Sequence, residues 1–350
     1  MPKTNTTMRW MRSPVLWFFL GALTMAVVGL VIALRLTGWS AGRGISGAVI
    51  RPVIHIHDAA DVAAARRALA AFIFGEPVLP ATLPEPADGG MIVRLPNGFT
   101  SFSTIFRPDA PNGALVIYHT GHEGFTGRDR AAIGAYLEGG YTVWRLDMPL
   151  LGANPPAVRI AIPQAGEVVF HQHRQFAYLD EITEGHPLRY FVEPVVAAVN
   201  QAEVYGFSDI FMTGLSGGGW TTILAAAVDP RLDASYPVAG GVPLSLRFDR
   251  YQKNWGDWEE NLPELLRIAS FEDLSILGAA GRSQIQVLNE YDICCYNDSR
   301  YLGFAPAIQA VVEPLGGHFE IYWSRGEFLH RANPAALEVI LADMSSRRTP

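Results

Sequence analysis

Cysteine is almost absent from this chain: two in 350 residues, adjacent at positions 294 and 295. A neighbouring pair cannot staple distant segments, so no disulfide framework holds the molecule together. Charge is also scarce, at 17% of residues, with a net charge of -7. That balance, without any cluster of Lys or Arg, argues against a nucleic-acid partner. No Gly-rich run continues into Gly-Lys-Ser/Thr, which excludes a P-loop, and no dinucleotide fingerprint accompanies the apolar runs. No cofactor is therefore implied. No repeat at a solenoid period is visible. What remains is a globular composition, 49% hydrophobic, long enough to bury a substantial core in one large domain or two small ones.

One long apolar run stands out. Pro14 to Leu34 contains no charged residue, and as a helix it would span about 31 Å, enough to cross the hydrocarbon core of a bilayer. A cleaved signal peptide has a shorter apolar region, so an uncleaved anchor is expected, although Trp39-Ser40-Ala41 offers a cleavage site. Lys3, Arg9, Arg12 and the terminal amine precede the span, and Arg35, Arg43 and Arg51 follow it. The slight excess in front predicts a single-pass membrane protein with its large domain on the extracytoplasmic side. The lipid bilayer is thus one expected partner.

The organisation expected is a short tail over 1–13, a transmembrane segment over 14–34, and a membrane-proximal segment and linker over 35–89. Residues 90–346 follow as the main domain. Within the third piece, 58–74 reads as an Ala-rich helix and 76–88, with four prolines, as an extended linker. Pro96-Asn97-Gly98 marks a hairpin turn. Beyond it, apolar strands alternate with helical patterns: Ala114 to Tyr118, Thr142 to Leu146, Asp209 to Met212, Ala234 to Val238, Gln284 to Leu288 and Ala307 to Val312 read as strands. Alternation of this kind implies an α/β fold, a mostly parallel sheet with helices on both faces. Residues 150–186 and 241–275 break the alternation and read as insertions near the ligand-binding end of the sheet.

The chemistry is carried by Gly214-Leu215-Ser216-Gly217-Gly218. An apolar strand before it and an Ala-rich helix after it make this a nucleophile elbow, in which a sharp turn holds Ser216 clear of the sheet. A serine hydroxyl needs a base, and the base needs an orienting group. Asp292 follows the strand Gln284 to Leu288, with Asp298 and Glu290 as rivals in the same loop. His318 follows the expected strand Ala307 to Val312 and is the expected base, ahead of His330, His171 and His173. The oxyanion needs two aimed N–H groups. Gly217 supplies one, and the loop His119 to Gly124 supplies the other through Gly121 or His122. His119 and His122 have no cysteine or carboxylate cluster near them in the sequence, so no metal is expected. Cys294 and Cys295 are expected to be small apolar residues beside the site.

These residues resemble the α/β-hydrolase superfamily. The likeness rests on the elbow, on Asp292 and His318 in order after it, and on the His119–Gly124 loop, and it covers about residues 90–346. Asp147-Met148-Pro149 also resembles a common segment of the superfamily, with Leu150 where glycine is usual. The resemblance implies an eight-stranded sheet and a Ser-Asp-His triad acting on esters, thioesters or amides. The function expected is a membrane-anchored serine hydrolase of a carboxylic ester, a small-molecule substrate. Acyl transfer, peptidase activity, or a non-catalytic binding protein retaining the fold are the alternatives. Trp255 and Trp258, in the second insertion, either line a substrate pocket or pack that insertion onto the domain.

Overall fold

The computed structural model describes residues 50–163, 165–247 and 254–348. The expected span at 14–34 lies outside them, as does Tyr251 of the second insertion. Among the described residues no helix is long and apolar enough to cross a membrane.

The described part of the chain forms one compact unit from Arg51 onward. Helix α1 (Ala59–Phe74) is capped by the Asp58 carboxylate, which accepts from Ala60 N and Asp61 N. The proline-rich stretch after it is not a free linker. Asn200 Nδ2 donates to Pro80 O and Thr82 O at 3.0 and 2.7 Å, so the extended chain is fastened to the domain. It also contributes an edge strand. The segment 51–88, expected to precede the hydrolase domain, is therefore part of the same unit.

The main sheet has nine strands among the described residues: β1 (Glu85–Ala87), β2 (Gly90–Arg94), β3 (Thr100–Phe106), β4 (Leu115–His119), β5 (Thr142–Leu146), β8 (Ile210–Leu215), β9 (Ala234–Val238), β10 (Ser283–Asn289) and β11 (His318–Ser324). Their order is β1-β2-β3-β5-β4-β8-β9-β10-β11. The first three pairings are antiparallel and the other five parallel. The eight strands implied by the resemblance are β2 onward; β1 is the ninth, added by the proline-rich segment. β2 and β3 form the hairpin expected around Asn97, which takes a φ of 56° in the turn.

Strands β4, β5, β8, β9 and β10 are buried along their whole length, as a parallel sheet covered on both faces requires. One face packs Val116, Tyr118, Phe211, Tyr236 and Val287 against helices α2 (Gly127–Glu138) and, at the end of the chain, α8 (Pro334–Arg347). The other face carries α3 (Arg189–Tyr205), α4 (Gly217–Val228), α6 (Phe271–Ala279) and α7 (Ala305–Val312), and α5 (Pro263–Ile268) packs against α1. Every residue of α4 is buried, so no side of the helix behind the elbow meets water, and its two threonine hydroxyls turn back to Gly217 O and Gly218 O.

The first insertion holds a separate two-stranded hairpin, β6 (Val158–Ile162) and β7 (Gly166–Phe170), followed by a 3-10 turn from His173 to Leu179. One expected strand is a helix: Ala307 to Val312 lies in α7, started by Pro306 in its first turn. The strand is β11, six residues further on, and this displacement decides which histidine reaches the carboxyl edge of the sheet.

Candidate active site

Ser216 sits between β8 and α4 with φ 60° and ψ -123°. For a non-glycine residue this region costs on the order of 1–3 kcal/mol, and such strain gathers at functional sites. Flanking glycines make the turn possible. A Cβ on Gly218 would lie 2.1 Å from His119 O. A Cβ on Gly121 would lie 2.8 Å from the Ser216 Cβ, so the loop after β4 presses directly against the serine. Both contacts need bare backbone.

Asp292 is buried in the loop after β10. Its Oδ1 accepts from Cys294 N at 2.8 Å and Cys295 N at 3.2 Å, and its Oδ2 from Asn289 Nδ2 at 3.1 Å. The imidazole it holds is His330, whose Nδ1 lies 3.0 and 2.9 Å from the two carboxylate oxygens. A carboxylate only accepts, so Nδ1 carries the proton and Nε2 keeps its lone pair. His330 Nε2 is buried and has no hydrogen-bond partner. A cavity of about 140 Å³ is lined by Ser216, His330, Gly121, His122, Cys294 and Cys295, among others.

His318, the expected base, is not there. It opens β11, paired with Ser283 at the start of β10, while Asn289 and Ser324 pair at the other end. At ~3.3 Å per residue, His318 stands about 20 Å along the strand from the carboxyl edge where Ser216 lies. Its ring is 43% exposed and 3.6 Å from Glu320. His330, in the loop that follows β11, takes the position expected of His318. The rivals of Asp292 are otherwise engaged: Asp298 caps a 3-10 turn and pairs with Arg300, and Glu290 accepts from Gly326 N.

The remaining expectations divide. Gly217 opens α4, with the His122 ring packed against it, and Gly121 and His122 line the cavity. Trp258 stacks on His186 at 5.7 Å between ring centroids and meets Phe176 edge-on at 6.1 Å. It is therefore part of the packing that joins the two insertions rather than of the cavity wall, and Trp255 is 54% exposed. Cys294 and Cys295 are joined to each other in a disulfide and lie beside His330 on the cavity. The segment around Asp147 is tied by Thr120 Oγ1, Arg145 Nη2 and Ala153 N, and Leu150 adopts a φ of 65°, as glycine would.

Sequence reasoning also missed the setting of His122. Burial alone would lower its pKa, but hydrogen bonding to the Glu259 carboxylate, with Asp257 nearby, raises it to about 9. Glu259 is fully buried, which would raise its own pKa; the hydrogen bond from His122 and the adjacent His173 imidazole hold it down at about 2. The three residues come from positions 51 and 86 apart in the chain, and no local pattern could have joined them.

A family described as PhoPQ-activated pathogenicity-related protein matches residues 192–269, which include the elbow. No curated protein matches in sequence. Among solved structures, an acetyl xylan esterase from Paenibacillus sp. R4 is 14% identical, with 85% of this chain and 97% of that one covered at a TM-score of 0.50. Methylesterase BT1017 is 16% identical, covering 82% of this chain and 62% of its own at 0.54. Acetyl xylan esterase 1 from Thermoanaerobacterium sp. JW/SL YS485 is 12% identical, covering 83% and 94% at 0.52. At these identities the likeness is one of fold.

Proposed function

We propose that this chain, which has the α/β-hydrolase fold, is a serine hydrolase acting on carboxylic esters. The observation that carries the reading is His330: its Nδ1 is held by Asp292, its Nε2 is buried without a partner, and it shares a cavity with Ser216. In this account Ser216 Oγ attacks the acyl carbon as His330 Nε2 takes its proton. The amide of Gly217, with one from Gly121 or His122, receives the oxyanion. Collapse of the intermediate returns the proton to the leaving alkoxide and leaves an acyl-enzyme. Water, deprotonated by His330, then releases the acid and restores the serine.

A cavity of about 140 Å³ suits a short acyl group, and the structural relatives named as acetyl xylan esterases act, by their names, on such esters. We assign the substrate to esters of short acids on that basis. The uncharged run over 14–34 supports anchoring of this enzyme to a bilayer, with the hydrolase on the extracytoplasmic side. A fluorophosphonate probe tests the nucleophile: it should add covalently to the wild type and not to Ser216→Ala. Labelling that persists in Ser216→Ala would defeat the assignment.

A further inference from the structure

Three side chains from three separate segments converge at the wall of the catalytic cavity. His122 lies in the loop after β4, His173 in the turn after β7, and Glu259 in the second insertion. His122 Nε2 is 2.8 Å from Glu259 Oε1, His173 Nδ1 is 3.2 Å from the same oxygen, and the two nitrogens are 3.2 Å apart. Asp257 Oδ2 lies 3.2 Å from the same His122 nitrogen. Hydrogen bonds do not exhaust this cluster. Glu259 has no exposed surface, yet its Oε2 has no partner at all. His173 Nε2 is 2.9 Å from Pro149 O and must donate to it, which fixes the tautomer whose Nδ1 lone pair faces the other two groups.

Two imidazole nitrogens and a carboxylate gathered within 3.2 Å of one another are the donors a divalent cation takes. With ligand bonds of 2.0–2.2 Å, neighbouring donor atoms of a tetrahedral zinc site stand about 3.4 Å apart, so the donors seen at 2.8–3.2 Å need spread by only a few tenths of an ångström to seat the ion. Calcium and magnesium prefer shells of oxygen; mixed nitrogen and carboxylate donors suit zinc. We infer that His122, His173 and Glu259 bind a zinc ion with its fourth position left to water, Asp257 acting as an outer partner of the site.

Its consequence is positional. The ion ties both insertions to the loop after β4. The His122 ring packs on Gly217, where a Cβ would come within 2.5 Å of it. His122 is thus a positioning residue for the backbone that faces the reacting carbonyl. The other such group of ligand-type side chains among the described residues, Cys294, Cys295 and His330, is spoken for by the disulfide and by Asp292.

The test is made on the full chain, stripped with a chelator and titrated with Zn²⁺ against a competing indicator, with Co²⁺ as a spectroscopic substitute. One zinc per chain should bind, and Co²⁺ should give the intense visible bands of four-coordinate geometry. His173→Ala and Glu259→Gln should each weaken zinc at least about a hundredfold, whereas Ser216→Ala and Cys294→Ser/Cys295→Ser should keep it. Retention in Ser216→Ala separates this site from the hydrolase assignment, which can fail alone. Far-UV circular dichroism checks the folding of each variant, and Asp257→Asn, at an exposed position, should weaken zinc by about tenfold in a chain that folds. No zinc uptake by the wild type, six-coordinate Co²⁺ spectra, or uptake that follows the cysteine pair would each overturn the inference.

Discussion

Asp292 accepts two backbone amides and a side-chain amide before it reaches His330, so its position does not depend on the histidine. Asp292→Asn should therefore leave the loop in place while offering His330 Nδ1 an amide that can turn either donor or acceptor toward it. With the tautomer no longer enforced, kcat should fall by roughly 10⁴-fold, the size found for a misoriented histidine in a serine protease, at an unchanged melting temperature. Steady-state ester hydrolysis beside thermal unfolding reads both numbers. Asp298→Asn should cost little activity, because Asp298 serves Arg300 and a turn. Ser216 and its glycines were legible from five letters, since the steric demands of the elbow act locally. Glu259 was not, because a buried carboxylate between two histidines is a property of the folded chain.

At the scale of elements, the stack of Phe72, His186 and Trp258 joins α1, the first insertion and the second. Trp258→Ala should lower the melting temperature by several degrees, for about 2–3 kcal/mol of lost packing. Trp255→Ala should leave it within about a degree, since over half of that side chain is in water. His186 makes the stack sensitive to pH. Burial lowers its pKa to about 4, outweighing the nearby Glu264, and its Nδ1 accepts from Leu188 N. The unfolded chain takes up this proton near pH 6.5 and the folded one only near 4, so stability is full above 6.5 and falls as pH drops through that window. Between pH 7 and 4 the wild type should lose about 3 kcal/mol more than His186→Gln in urea unfolding.

The same scale explains the misplaced base. Ala307 to Val312 is apolar and partly β-branched, and in isolation it reads as strand. Pro306, in the first turn of a helix, was the signal that it is not. His318-Phe319-Glu320-Ile321 alternates in burial along β11, the period of a strand with one face toward the core. Placing the strand there carries His318 to the start of β11 and leaves His330 in the loop beyond its end. The fold survived the error because a parallel sheet tolerates one shifted element; the site did not, because a histidine at the wrong end of a strand is about 20 Å away.

For the whole molecule, the compact unit begins at Arg51, and the uncharged run lies wholly before it. The full chain should remain with membranes through alkaline-carbonate washing, while a chain starting at Arg51 should be recovered without detergent and hydrolyse esters at the full rate. Release of the full chain by carbonate would remove the anchor from the account. The central claim is that Ser216 works with His330 of the last loop. Ester hydrolysis by His330→Ala and His318→Ala, measured side by side with folding checked for both, tests it most directly. His330→Ala should lose at least about 10³-fold in kcat, matching Ser216→Ala, and His318→Ala should stay within about twofold of wild type. An active His330→Ala beside an inactive His318→Ala would contradict it.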